Sequence, residues 1–197
     1  MPIRRAVVSV WDKTRIEDLA RVLVDAEYQI LATSSTAREL RGQGIPVVEI
    51  SEYTGAPEII GGRVKTIHPK IAGGILSTRQ DKSVEPIDIV VCNLYPFEKG
   101  MQGRLSFSEM IELIDIGGVT LLRAAAKNHE FVTPVPDVAY YDRVADELRV
   151  TRSTTPALRR ELARVTFDLT SRYDAAIAAY LAQLGSTRPA TQDTRGA

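Results

Sequence analysis

Along this chain short apolar runs alternate with segments of helical period, and few folds accept that pattern. Residues 6–10, AVVSV, read as a buried strand, and Thr14 to Glu17 follows with the T-x-x-E spacing of a capping box, predicting a helix to about Ala26. The pattern then repeats. Tyr28–Ala32 reads as strand, Ser34 or Ser35 as a helix cap, Ala37–Arg41 as a short helix, and Ile45–Ile50 as strand after Gly44. Ile87–Cys92, IDIVVC, is another buried strand, and Phe131–Val135 an edge strand because Pro134 cannot donate to a ladder. Strands that alternate with helices in this way imply a mainly parallel sheet between helical layers, an α/β fold.

Two stretches depart from the pattern. Ser51–Lys82 has weak periodicity, five glycines and enough isoleucine to argue against disorder, so it reads as a site-forming loop. Thr155–Leu184 carries Leu158, Leu162, Val165, Leu169, Tyr173, Ile177 and Tyr180 at spacings of three and four, the pattern of a packing helix pair. At 197 residues and 44% hydrophobic, the chain supports one domain over residues 1–184, with residues 185–197, GSTRPATQDTRGA, expected to be a mobile tail. There are 25 basic and 25 acidic residues, so nothing in the net charge favours nucleic acid or an anionic membrane as partner. No run approaches the length of a membrane-spanning helix, the start lacks the apolar core of a secretory signal, and Cys92 has no cysteine to pair with. The expected compartment is the cytoplasm.

Parallel sheets of this kind bind ligands beyond the carboxyl ends of their strands. That rule nominates Trp11, Asp12 and Lys13 after the first strand, Thr33, Ser34, Ser35 and Thr36 after the second, and Cys92, Asn93 and Tyr95 after the run at 87–92. Thr33–Thr36 offers four hydroxyls and a row of backbone N–H groups at a helix start, which suits a phosphate, with ordinary N-capping as the competing reading. Only six of the 25 basic residues are lysine, and Lys65 and Lys127 stand beside a glycine pair or at a helix end, where a compact ammonium of tunable pKa has a use. Gly61-Gly62-Arg63-Val64-Lys65-Thr66 lets backbone and two cations approach an anion, and a surface turn is the alternative. Asp115 precedes Gly117-Gly118 at the start of an apolar helix, Val119–Ala126, that ends at Lys127. A helix of that length is about 12 Å long, so Asp115 and Lys127 share a ligand only if the chain folds back or a dimer partner closes the gap. His68 reads as structural, Cys92 as a buried small residue, and two histidines with one cysteine give no metal-ligand spacing.

Taken together, SVWDKT at 9–14, EISEYTGAPEIIGGRVKTIHPKI at 49–71, CNLYPF at 92–97 and IDIGGVTLLRAAAKNH at 114–129 resemble the inosine monophosphate cyclohydrolase domain of bifunctional purine biosynthesis proteins. The resemblance covers nearly the whole chain to about Leu184. It implies a methylglyoxal-synthase-like three-layer α/β fold with C-terminal helices, and closure of 5-formamidoimidazole-4-carboxamide ribotide to inosine monophosphate without metal or cofactor. It further implies catalytic roles for Lys65, Tyr95, Asp115 and Lys127. Nucleotide binding would fall to Trp11, Asp12, Lys13, Thr33, Ser34, Ser35, Thr36, Arg63, Val64, Thr66, Cys92, Asn93, Ile116 and Gly117. Where the family usually has a glycine pair, this chain has Ser34-Ser35. The implied partners are the nucleotide, a second copy in a homodimer, and a separate formyltransferase, since that domain does not follow Leu184. Two rivals stand beside this reading: a nucleotide sensor without turnover, and a lyase acting on a triose phosphate.

Overall fold

The structure, a computed structural model, describes residues 3–103 and 105–185, without the side chains of residues 184 and 185. Strand β1 (Arg4–Val10) leads to helix α1 (Ile16–Asp25), β2 (Tyr28–Ala32) to α2 (Ser34–Gly42), and β3 (Val48–Glu49) to α3 (Ile50–Thr54) and α4 (Pro69–Leu76). Then come β4 (Ile89–Asn93), α5 (Phe97–Met101), α6 (Phe107–Glu112), α7 (Gly117–Lys127), β5 (Thr133–Val135), α8 (Tyr141–Thr151) and α9 (Pro156–Gly185). The five strands form one sheet in the order β3-β2-β1-β4-β5, and every pairing is parallel. The three-layer α/β expectation holds.

Alternating side chains explain the layers. Ala6, Val8, Val10, Ile30, Ile89 and Val91 face a cluster with Ile16, Leu19, Leu23, Leu40, Val144 and Leu148, whereas Val7, Leu31, Val90 and Cys92 face Ile71, Ile75, Leu121, Leu122 and Ala125. Both faces of the sheet are buried, as a parallel sheet requires. A third cluster of Phe97, Met110 and Tyr173 lies under residues 94–114, with the Phe97 ring edge-on to Tyr173 at 6.2 Å and to Tyr180 at 5.6 Å.

Several local expectations are corrected. Thr14 does not cap α1: its hydroxyl donates to Asp12 at 2.6 Å, and Arg15, at φ 57°, is the N-cap. The cap of α2 is Thr33 rather than Ser34 or Ser35, and it makes no capping hydrogen bond. The strand expected at 45–50 shrinks to two residues because Glu49 and Glu52 form a reciprocal capping box that starts α3 at Ile50. The stretch 51–82 is not one loop. Pro69 at a first helical turn and His68, whose Nδ1 accepts from the Lys70 N–H at 3.1 Å, start α4, which buries Ile71 and Ile75. The expected helix pair at 155–184 is a single helix of 30 residues, about 45 Å long, with no breaker between Pro156 and Gly185. The tail expected at 185–197 lies outside the described residues from 186 onward.

Candidate active site

The chain runs from β1 outward through β2 and β3, then returns to place β4 on the other side of β1. This reversal opens a crevice beyond the carboxyl ends of β1 and β4, the usual ligand position in such sheets. A cleft of about 490 Å³ lies there. Asn93 sets its floor: Oδ1 accepts from the backbone N–H of Trp11 (2.7 Å) and Asp12 (3.0 Å), and Nδ2 donates to the Asp12 carbonyl (2.8 Å). The β1–α1 loop is therefore fastened to the end of β4. Asp12 is turned into that loop by Thr14, whose hydrogen bonds hold its carboxyl below the ordinary range.

One end of the cleft is cationic. It gathers Lys13, Thr33 and Ser35 beside the start of α2, whose partial positive charge adds to the ammonium, with Lys65 between this end and Asp115. Burial pushes the Lys13 ammonium below its usual range; Glu39 opposes the shift and Lys65 adds to it, so the two lysines feel each other. Arg63 stands at the rim, already paired with Glu112 of α6 through Nε at 3.2 Å and through a second guanidinium nitrogen.

The other end is built round Asp115. Oδ1 accepts from the Gly118 N–H at 2.6 Å, and the Asp115 N–H donates to the Tyr173 hydroxyl at 2.9 Å, which in turn donates to the Leu113 carbonyl at 2.7 Å. The long C-terminal helix thus pins the loop that carries the carboxylate. Burial pushes the Asp115 carboxyl above its ordinary range, against the pull of the Gly118 and Tyr95 N–H groups and of Lys65. Tyr95 is also raised, by burial first and then by Asp115, and stays a neutral phenol at pH 7. The glycines of α7 have a steric role. A Cβ on Gly117 would stand 2.6 Å from Thr66 Oγ1, and one on Gly118 would stand 2.5 Å from Asp115 Oδ2.

The family model described as MGS-like domain matches residues 15–120, over half of the sequence. The chain belongs to the MGS-like domain family. Residues 125–196 of this MGS-like protein match a second model, that of the AICARFT/IMPCHase bienzyme. Its curated relatives include the bifunctional purine biosynthesis proteins PurH of Cereibacter sphaeroides, 45% identical over 192 residues, and of Thermosynechococcus vestitus, 48% identical over 189 residues. These alignments cover 92% and 90% of this chain, and the chain spans about a third of those proteins, 36% in each case. Among solved structures, that titled "Crystal structure of ForH" superposes with a TM-score of 0.77 at 34% identity, covering 89% of this chain and 97% of that one.

Within the MGS-like domain, the cleft brings together Trp11, Lys13, Thr33, Ser35, Arg63, Lys65, Thr66, Asn93, Tyr95, Asp115, Ile116 and Gly117. Six nominated residues do not line it. Asp12 is folded into its own turn, Ser34 is engaged by Glu58, and Thr36 is buried against Val10. Val64 bridges to Ile59, and Cys92 lies beneath the floor, 1% exposed, with burial pushing its thiol well up. Lys127 is exposed at the far end of α7, ten residues and about 15 Å of helix from Gly117. Sequence reasoning missed Glu112, Gly118 and Tyr173. Gly118 was in view as half of a pair, but Tyr173 bonds a residue 58 positions away and its spacing advertised only a packing face.

Proposed function

We propose that this chain closes 5-formamidoimidazole-4-carboxamide ribotide to inosine monophosphate, the IMPCHase half of the bienzyme whose family model matches residues 125–196. The observation that carries the reading is the two-ended cleft, with Lys13 and the start of α2 at one end, Asp115 with Tyr95 at the other, and Lys65 within reach of both. A ribotide is itself two-ended: a phosphate suits the cationic end, leaving the imidazole arms beside the carboxylate, with Trp11 and Ile116 as apolar walls.

In the reaction the carboxamide nitrogen bonds to the formyl carbon and gives up one proton. The formyl oxygen takes on charge, collects that proton and the one from the formamido nitrogen, and leaves as water as the ring C=N bond forms. Asp115, whose carboxyl burial pushes above its ordinary range, accepts the amide proton. Lys65 opposes the oxyanion, and the neutral Tyr95 phenol passes a proton to the departing hydroxyl. Holding the two arms in contact supplies a further part of the acceleration. Lys127 enters this scheme through a second copy of the chain, because α7 separates it from its own cleft. Mixing Lys127→Ala and Lys65→Ala proteins should then restore turnover that neither has alone. No recovery on mixing removes Lys127 from the mechanism.

The test of the reading is to supply the purified protein with the formamido ribotide and follow the ultraviolet absorbance of inosine monophosphate. Formation of product is expected. No turnover at high enzyme concentration leaves a nucleotide sensor, and turnover of a triose phosphate instead leaves the lyase.

A further inference from the structure

At the start of α2, the Ser34 hydroxyl and the Ser34 N–H, at 3.4 Å, both donate to Oε1 of Glu58. A hydroxyl and a first-turn N–H converging on one anionic oxygen is the arrangement by which a helix start holds a phosphate. Here the oxygen belongs to the protein. Glu58 is carried on residues 55–62, a lip hinged at Gly55 and closed by the Ile59–Val64 bridge. Gly55, Ile60, Gly61 and Gly62 all have positive φ (75°, 55°, 61° and 87°). For a branched residue such as Ile60, 65% exposed, that conformation is costly and has no burial to offset it. The lip also leans over the cleft: the Glu58 charge is among those that raise the Tyr95 phenol, and Glu58 Oε2 lies 3.6 Å from the position of a Cβ on Gly62.

We propose that Glu58 is a built-in phosphate mimic, a latch that occupies the start of α2 in the empty protein and is expelled by the phosphate of an incoming ligand. This rests on the reading that the α2 end of the cleft receives a phosphate. Two anions cannot share the Ser34 donors, so the ligand must displace the carboxylate, and the work of displacement weakens its binding. Arg63 follows directly on the lip and Lys65 two residues later, so its release is linked along the chain to the residue assigned to the oxyanion. Ser34 supplies the hydroxyl half of the latch, which a glycine there would lack.

Calorimetric titration with inorganic phosphate, inosine monophosphate and inosine tests the latch on the wild type, Glu58→Gln and Glu58→Ala. Glu58→Gln removes the charge and can keep the contact, whereas Glu58→Ala removes both. Both variants should bind phosphate and inosine monophosphate about tenfold more tightly, the scale of one screened like-charge repulsion, and inosine no differently. Unchanged or weaker phosphate binding in the variants, including none detectable in any of the three proteins, overturns the latch. Tighter phosphate binding without turnover of the formamido ribotide keeps the latch and sinks the cyclohydrolase reading. Turnover with unchanged phosphate affinity does the reverse.

Discussion

Two glycine pairs border the same cleft for opposite reasons. Gly61-Gly62 lies at φ 61° and 87°, and a Cβ on Gly61 would meet nothing within 4 Å, so that pair is there for backbone conformation in an open lip. Neither glycine of Gly117-Gly118 has positive φ, yet side chains there would stand 2.6 and 2.5 Å from Thr66 and Asp115, so that pair is there for space in a packed seat. The lip is built to be rearranged and the seat to stay fixed. In the proposed reaction precision belongs to the seat, where Asp115 is held by Gly118, Tyr95 and Tyr173.

The largest effect should come from changing what the seat holds. Asp115→Asn is expected to lower kcat by about 10³-fold, within the range for a lost general base. Its stability has a definite pH sign. The folded pKa of Asp115 is raised above 3.8, so the wild type is favoured relative to the Asn variant in acid and loses that advantage as pH rises through the raised pKa. Thermal melts across that range should show the Asn variant gaining on the wild type toward neutral pH. Next, Gly118→Ala should push the carboxylate aside, lowering kcat by about 10²-fold and stability by about 1–3 kcal/mol. A Gly118→Ala protein with full activity would mean that the seat is as pliable as the lip. Tyr173→Phe removes a hydroxyl that bonds both the Asp115 N–H and the Leu113 carbonyl. It should cost about 2 kcal/mol in denaturant melts and lower kcat about tenfold. Smallest of all, Gly61→Ala should cost about 1 kcal/mol through its left-handed backbone and leave kcat within about twofold, because nothing there is crowded.

Much of this contrast could be read before the fold was known, and the parts that could not share a cause. Continuous apolar runs, buried on both faces of the sheet, made β1, β2 and β4 legible, and the rule of strand ends placed Trp11, Lys13, Thr33, Asn93 and Tyr95 on one rim. Helix α8 went unread although Tyr141, Val144, Ala145 and Leu148 have helical spacing, because its polar surroundings concealed it. What the sequence alone left hidden depends on pairings between distant positions. Thr14 was taken from its capping role by Asp12, Ser34 by Glu58, and Tyr173 was made part of the site by Asp115. Local pattern shows which groups are available, and competition among distant partners decides which are used. The separation of Lys127 from Asp115 lies between these cases, since helix length alone exposed the difficulty.

In the proposed function the cleft divides labour between a phosphate end and a reacting end. Steady-state kinetics on the formamido ribotide with Lys13→Ala and Asp115→Asn side by side separate the two. Lys13→Ala should raise KM with kcat nearly unchanged, and Asp115→Asn should lower kcat with KM nearly unchanged. Loss of the same parameter in both variants, or no turnover by the wild type, would contradict it.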